Sequence, residues 1–276
     1  MGKPLVKVAA VVIGGVAAIT VCFVGYKVNI DRQYEQRVNY TETAVLKEKS
    51  SLKEIKEEIA SLYSDGTHTF LKNDLQEEAV NKVETKLAAI KVSATEFGIN
   101  EEDLPENIKE VKAEKDSLDK RMDDADLKFY IQKSINELFT QPVSDWQAAQ
   151  NDVIINEQVS ETTIGDIRDR LKMVADSNWK NLINQYLDYA TAQVKRATDI
   201  QETLDKLLKD GKVASSATYE IYLNLVDSIA QVRNETLKKS FEEAAATIGN
   251  QIGVGAAEET TDTWTNTEEL SQDYTQ

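Results

Sequence analysis

The segment IKEEIASLY, residues 55–63, recurs as IQKSINELF at residues 131–139, 76 positions further along the chain. Both segments space Ile, Ile and Leu by four and three residues, which places the three side chains on one face of a helix. Any amphipathic helix can reproduce that spacing by chance. The aromatic residue that follows Leu both times, Tyr63 or Phe139, is more specific. The recurrence predicts an all-α fold with long helices and an internal duplication.

The helical pattern extends back from Tyr63 to residue 28. Apolar residues recur every seven positions at Val38, Val45, Leu52 and Ile59, with Thr41, Glu48, Ile55 and Leu62 between them. The polar Thr41 and Glu48 favour the side of a helical bundle over a pure coiled coil. The pair Asp65-Gly66 predicts the end of this helix.

Short helices are predicted after each of the two segments. Asp74 is a suitable N-cap for the first, with Glu77 at the capping-box position, and Ser160 is a suitable N-cap for the second. Their apolar residues share one spacing, at 80, 83, 87 and 90 and at 164, 167, 171 and 174, an offset of 84. The second connecting loop is therefore longer than the first by eight positions, since the offset of the short helices exceeds that of the two segments, 76.

Three further long helices are predicted. One begins at Pro105 after a possible Asp103 cap and stops before Pro142, with a bend at 123–126; another spans Ser177–Lys209 with Gly211 just past its end; the last spans Ser215–Ile248. The segment 140–159 is looser. Predicted inward residues of the last helix are Tyr219, Tyr222, Leu225, Val226, Ile229, Val232, Leu237, Phe241 and Ala244.

Helices of about 45–50 Å predict an elongated helical bundle. Its two units would cover about 28–139 and 104–250, sharing the helix at 104–139. Residues 251–276 are rich in Glu, Thr and Asp and predict a disordered acidic tail.

The charge is unevenly distributed. The net charge is −16, yet no acidic residue precedes Asp31, and the only charged side chains before Lys27 are those of Lys3 and Lys7. Residues 8–24 are uncharged, about 26 Å as a helix, and extension to residue 26 reaches the thickness of a bilayer core. We therefore expect a single transmembrane helix at 8–26. The flanking cations predict a short cytoplasmic stub at 1–7 and an extracytoplasmic domain at 28–250.

Other interpretations of this segment remain open. It could be a cleaved signal peptide, although no clear small-residue cleavage site follows it. It could also end in a lipidated Cys22, although Val21 stands where a small residue is wanted. Gly14 and Ala18 could pack two anchors into a homodimer, but both residues are common in membrane helices. An exported domain whose chain holds one Cys in total is ordinary for Gram-positive bacteria.

Few residues suggest chemistry. His68, the single imidazole, lies in a predicted loop with Asp65, and Ser64 or Thr69 could serve as a nucleophile. Any loop contains such residues, so a solvated His68 is the preferred interpretation. We predict that the protein is not an enzyme, with no catalytic, cofactor-binding or metal-binding residues.

Acidic pairs are frequent, and we interpret them as solvated helix faces. They are Glu57/Glu58, Glu77/Glu78, Glu101/Glu102/Asp103 and Asp123/Asp124/Asp126. The last cluster could attract Ca²⁺, but it lacks the Gly and the distal Glu of an EF-hand loop. The acidic balance also disfavours nucleic acid as a partner, because phosphates require cationic side chains.

Aromatic residues could form a sugar-stacking platform, although core packing is the preferred interpretation. The candidates are Trp146, Trp179, Tyr186, Tyr189, Tyr219 and Tyr222. Trp264 stands in the acidic tail and is a weak candidate for a binding motif.

The stretch IASLYSDGTHTFLK at 59–72, continuing into LQEEAVNKV at 75–83, resembles the extracellular part of the mid-cell-anchored, division-site-positioning proteins (MapZ) of streptococci and enterococci. The segment INELF at 135–139 and the helix after Ser160 echo it. The resemblance covers roughly 28–250. It implies a single-pass membrane protein whose outer part meets peptidoglycan; the region that binds the division GTPase in that family has no counterpart in this sequence.

Three functions compete. The preferred one is a membrane-anchored extracytoplasmic binding or scaffold protein at a Gram-positive cell envelope, linked to cell division or peptidoglycan, with peptidoglycan or an envelope protein as partner. The second is a surface protein that binds an external protein. The third is a cell-wall enzyme, for which Glu101, Glu102 or Asp103 would have to act.

Overall fold

The computed structural model describes residues 27–254, and within that range the fold is all-α with one small strand pair, which confirms the all-α class predicted from the sequence. The chain divides into two compact units. Of the described residues, the first unit contains 27–50 and 91–112, and the second contains 51–90 and 113–254. The predicted anchor at 8–26 and most of the predicted tail lie outside the described residues. No helix within 27–254 is long and apolar enough to cross a membrane.

The helices alternate between long and short. In chain order the elements are α1 Lys27–Ser61, α2 Glu77–Ala88, α3 Ala94–Phe97, a 3₁₀ turn Glu101–Asp103, α4 Ile108–Leu138, α5 Glu161–Leu171, α6 Asn178–Leu207, β1 Leu208–Lys209, β2 Lys212–Val213, α7 Tyr219–Ala230 and α8 Glu235–Gln251.

Tyr34 links α1 to the segment that follows α3 within the first unit. Its hydroxyl donates to the Asp103 carboxylate and accepts from the Asn100 backbone N–H at 2.9 Å. Ser93 caps α3 in a reciprocal capping box with Glu96, which satisfies backbone groups at the start of that helix. The sequence predicted Asp103 as the cap of α4. Its carboxylate instead accepts the Tyr34 hydroxyl, and α4 begins three positions after Pro105.

Most heptad positions of the first helical segment are buried, whereas Val38 and Glu48 are half-buried. Leu52, Ile55 and Ile59 lie in the core of the second unit. In the same unit, one large apolar cluster joins the end of α4, α5 and the first half of α6. A second cluster joins the rest of α6 to α7 and α8.

Three segments of the second unit have the same local structure. We name them repeat A (residues 55–90), repeat B (131–174) and repeat C (200–232). Each begins with the last turns of a long helix, and the sequence IQETLDKLL at 200–208 follows the spacing of the first two. Its buried residues Ile200, Leu204 and Leu207 match Ile55, Ile59 and Leu62 of repeat A. The residue after the final Leu is Leu208 in repeat C, not an aromatic residue.

An antiparallel backbone bridge follows the long helix in every repeat. The bridged pairs are Tyr63–Leu71, Phe139–Ile155 and Leu208–Val213. Next to each bridge, a backbone N–H donates to the carbonyl of the preceding Leu: Lys72 to Leu62 at 3.0 Å, Asn156 to Leu138 at 2.8 Å and Ala214 to Leu207 at 2.8 Å.

A short helix completes each repeat. Its N-cap is Gln76, Ser160 or Thr218, and its apolar residues stand four, seven, eleven and fourteen positions after the cap. In repeat C these residues are Tyr222, Leu225, Ile229 and Val232, of which all but the half-buried Tyr222 are buried. The same positions in repeats A and B are buried throughout.

The predicted last helix at 215–248 is wrong, because two helices meet there. α7 ends at Ala230, and Asn234 caps α8 by accepting from the Leu237 backbone N–H at 3.0 Å. Its amide also donates to the Ile155 carbonyl at 2.8 Å. The predicted single helix is therefore two helices, and the first of them, α7, is the short helix of repeat C.

Other boundaries also differ from the predictions. Gly211 does not cap α6: Asp210 and Gly211, with φ of 50° and 71°, form a two-residue hairpin turn, a conformation that Asp-Gly favours. Gln76, not Asp74, is the N-cap of α2. α4 is a continuous helix through 123–126, which leaves the predicted bend there a prediction, and α8 extends to Gln251, inside the predicted tail.

Candidate functional site

The loop that holds His68 is closed by its own residues. The Asp65 carboxylate accepts from the backbone N–H groups of Thr69 at 3.0 Å and Phe70 at 2.9 Å. His68 has a left-handed backbone with φ of 57°, and its ring stands edge-on to Tyr63 with centroids 5.1 Å apart. Asp65 thus holds the loop backbone through these hydrogen bonds.

A buried cation, Lys128, holds this loop against the core. Its ammonium group pairs with Asp124 at 2.7 Å, donates to the His68 carbonyl at 3.3 Å and lies over the rings of Tyr63 and Trp179. The Tyr63 hydroxyl donates to Asp124 at 3.1 Å. Burial, together with the Asp124 charge, raises the pKa of Tyr63. Sequence reasoning missed Lys128, because a Lys on an acidic helix looks solvated.

The acidic run on α4 divides between different environments. Asp124 pairs with Lys128, whereas Asp126 is half-buried and faces the charges of Glu84, Asp123 and Glu77. Burial, followed by these negative charges, raises the pKa of Asp126 to about 6. Within residues 27–254, no three His, Cys, Asp or Glu side chains are grouped to hold a metal ion.

The remaining acidic candidates lie on separate surfaces. Glu58 pairs with Lys86, and Glu77 pairs with Lys133 at 2.8 Å. Glu101 and Glu102 belong to the 3₁₀ turn, whose third residue, Asp103, accepts the Tyr34 hydroxyl. The structure therefore brings Glu77 near Asp126, and Asp124 near the His68 loop, but it groups none of them as a metal-binding cluster within residues 27–254.

Half of the candidate sugar platform is core, as preferred. Trp146, Trp179 and Tyr186 are buried. The Tyr186 ring packs at 5.8 Å from Trp146, and its hydroxyl accepts from the Gln150 backbone N–H at 3.2 Å. Tyr219 is instead 58% exposed, so the prediction that it lies inward is wrong.

An exposed apolar strip runs along α7. Tyr219, Leu223, Val226 and Ala230 follow one another at spacings of four, three and four, which places them on one helix face. Leu223 and Val226 are 42% and 37% exposed. Val226 was also predicted to lie inward. We call these four residues the outer seam of α7.

The corresponding positions of the other short helices are mostly polar. Relative to the N-cap, α2 carries Glu77, Asn81, Glu84 and Ala88 there, and α5 carries Glu161, Gly165, Arg168 and Lys172. Two of these residues form ion pairs with the following long helix: Glu77 with Lys133 at 2.8 Å, and Arg168 with Asp188 at 2.7 Å. Of the three repeats, only repeat C presents a mainly apolar face.

The apolar character extends to the next helix. Alignment of repeats B and C from their caps onwards places Arg168 on Val226 and its partner Asp188 on Ala246, which is exposed on α8. An ion pair of repeat B is thus replaced by two apolar side chains in repeat C. Glu220 and Asp227 are the only charged residues of α7.

The chain was compared with protein families, curated proteins and solved structures. None of them matches. The outer seam of α7 is therefore identified by its contrast with α2 and α5 within this protein. Sequence analysis missed the seam because its residues and the buried residues of α7 both follow the helical period.

Proposed function

We propose that this protein is a membrane-anchored, extracytoplasmic helical scaffold at a Gram-positive cell envelope, which acts by binding a protein partner and not by catalysis. The observation that carries the proposal is the recurrence of one helical unit in repeats A, B and C, of which one presents an apolar face. Stacked helical repeats present extended surfaces that commonly serve protein binding.

The anchor is proposed from the sequence alone. The uncharged segment 8–24, with Lys3 and Lys7 before it, supports a single pass with the N-terminus in the cytoplasm. The length of the predicted helices and the recurrence of residues 55–63 at 131–139 support a further proposal, an elongated arrangement of duplicated units. The resemblance to division-site-positioning proteins supports a link to cell division or to peptidoglycan.

Topology and location are tested together in the native cell. We expect a C-terminal fluorescent fusion to fractionate with membranes, and protease added from outside, after wall digestion, to remove residues beyond the anchor. A protected C-terminus or a soluble fraction would overturn the proposed anchor and orientation.

The division and peptidoglycan links need separate measurements. Septal enrichment of the fusion supports the division link, and a uniform membrane signal rejects it. Retention of the purified full chain on cell-wall sacculi, above that of an unrelated acidic helical protein, supports peptidoglycan binding. If sacculi do not retain it, an envelope protein stays as the proposed partner.

A further inference from the structure

We infer that the outer seam of α7 is the docking site for an amphipathic helix of a partner protein, whose apolar stripe is bordered by Lys or Arg residues. This inference rests on the proposed scaffold function and names the partner's chemistry. Three lines of observation support it: the spacing of the seam, its neighbouring charges, and its contrast with the same positions of repeats A and B.

The spacing suits a helix as the occupant. Tyr219, Leu223, Val226 and Ala230 repeat at four, three and four residues, the spacing by which two helices pack along a seam. An adjacent face of α7 already packs against α6 and α8 through Leu225 and Ile229. The seam is about 18 Å long, which matches three to four turns of a partner helix.

The acidic residues beside the seam decide which kinds of partner can bind there. Glu220 and Asp227 are two helical turns apart, so they lie along the same edge of the seam, and α7 has no cationic residue. A second copy of this chain would bring these acids towards their own counterparts. Residues 255–276 carry six acidic and no basic side chains, so they are repelled in the same way. An anionic membrane surface is disfavoured for the same reason.

The contrast between repeats argues that the apolar seam of α7 did not arise by chance. Glu77 and Arg168, which hold two of the corresponding positions in α2 and α5, form ion pairs with the following long helix. In repeat C, Tyr219 and Val226 stand at those two positions, and Ala246 replaces the acidic partner of Arg168. The substitutions convert a polar surface into an apolar one on two neighbouring helices. Clustered exposed apolar side chains of this kind mark interaction sites.

The first test uses a defined probe. Full-length protein in nanodiscs of zwitterionic lipid is titrated with a labelled helical peptide, about as long as the seam, whose Leu stripe is flanked by Lys, with empty nanodiscs as the blank. A matched peptide carries Glu in place of Lys. We expect the Lys peptide to bind at least about tenfold more tightly than the Glu peptide, and added salt to reduce the difference.

Two sets of substitutions, each of which exchanges residues between short helices, test whether the peptide binds at the seam. Tyr219→Glu, Leu223→Asn and Val226→Glu together give α7 the residues of α2 at the corresponding positions. The three positions are exposed, so the fold should persist, and the variant should lose at least about tenfold in affinity. Glu161→Tyr, Thr162→Glu, Gly165→Leu, Arg168→Val and Lys172→Ala together give α5 the four seam residues and the edge acid of α7, beside its own Asp169 at the position of Asp227, and should add a second binding site. Equal binding of both peptides, or binding that survives the first set of substitutions, overturns the inference.

The second test identifies the natural occupant. A photo-crosslinking amino acid replaces Leu223 in the cell, and the crosslinked peptide is sequenced. A partner segment with an apolar stripe and flanking Lys or Arg supports the inference. A crosslink to a second copy, to residues 255–276, to lipid, or to a segment without that pattern rejects it. Rejection with intact membrane location would leave the proposed scaffold function standing, whereas a soluble protein would remove that function regardless of the seam.

Discussion

The short helices of repeats B and C, α5 and α7, share their inner faces and differ in their outer ones. Each begins directly after a Ser or Thr cap and places apolar residues four, seven, eleven and fourteen positions after it. Outside, α5 forms the Arg168–Asp188 ion pair, and α7 has exposed Leu223 and Val226. The bridge before α5 encloses the long loop 140–154, whereas the bridge before α7 encloses only 209–212. Inner residues thus maintain the repeat, while loops and outer faces are free to differ.

The largest effect is expected from Tyr186, which fills the space under the long loop of repeat B. The side chain is 0% exposed and contacts Trp146 and Phe139. Tyr186→Ala should lower the free energy of unfolding by about 3–5 kcal/mol, measured by urea denaturation. Ala244 holds the corresponding position beside repeat C, where the short hairpin leaves no such space. The half-buried Tyr189 provides the control, and a loss below about 1 kcal/mol for Tyr186→Ala would show that the loop does not depend on this ring.

A glutamine clamp holds the bridge in both repeats B and C and should matter more in repeat B. Gln193 accepts from the Ile155 N–H at 3.3 Å and donates to the Val153 carbonyl at 2.9 Å. Gln251, at the position of α8 that corresponds to Gln193 of α6, makes the same two bonds to Val213 and Gly211.

Because the bonds of Gln193 are partly buried and those of Gln251 are exposed, Gln193→Leu should cost about 1–3 kcal/mol and Gln251→Leu less than about 1 kcal/mol. Thermal unfolding of both variants checks the order. Gln201→Leu, whose exposed amide bonds Asp205, is the matched control on α6. Equal losses for the two clamps would contradict the stated role of burial.

A size exchange distinguishes the core of repeat C. Tyr222 stands where repeat B has Ile164, and Gly249 on α8 corresponds to Thr191 on α6, the long helix after repeat B. A Cβ on Gly249 would lie 2.7 Å from the Tyr222 hydroxyl oxygen, so the ring would have to move. Gly249→Thr should therefore lower stability by about 1–2 kcal/mol, and adding Tyr222→Ile should recover most of it. A double variant no better than the single one would refute this pairing.

The smallest effect concerns repeat A, whose short helix faces like charges on α4. The pKa of Asp126 is raised to about 6, so its neutral form favours the folded state. Its stabilising contribution is full below the ordinary pKa and is lost as the pH rises through about 6. Asp126→Asn should thus stabilise the protein by up to about 1 kcal/mol near neutral pH, after allowance for solvent screening, and by nothing in acid below the ordinary pKa of Asp. Asp116→Asn, at an exposed position of α4, is the control, and a gain that is independent of pH would exclude this explanation.

Helical periodicity predicted the long helices α1, α4 and α6 and the inner faces of α2 and α5. It did not predict repeat C, because Leu208 replaces the aromatic residue that marked the first two repeats. The break before Asn234 contains neither Gly nor Pro, and its signal was an Asn cap followed by Glu235. The seam of α7 was missed because Tyr219 and Val226 continue the apolar run of its inner face. Which apolar face a helix buries depends on neighbours that are distant in sequence.

The long helix α6 follows repeat B, and its last turns open repeat C, so the connection between these repeats runs through a helix. Ile131 and Ile200 hold the same place in successive repeats. A gene deletion removing residues 132–200 would join Ile131 to Gln201 without changing the helical phase. The product would lose one bridge and one short helix. Unequal recombination could therefore lengthen or shorten the protein by whole repeats, so relatives with two or four of them are expected.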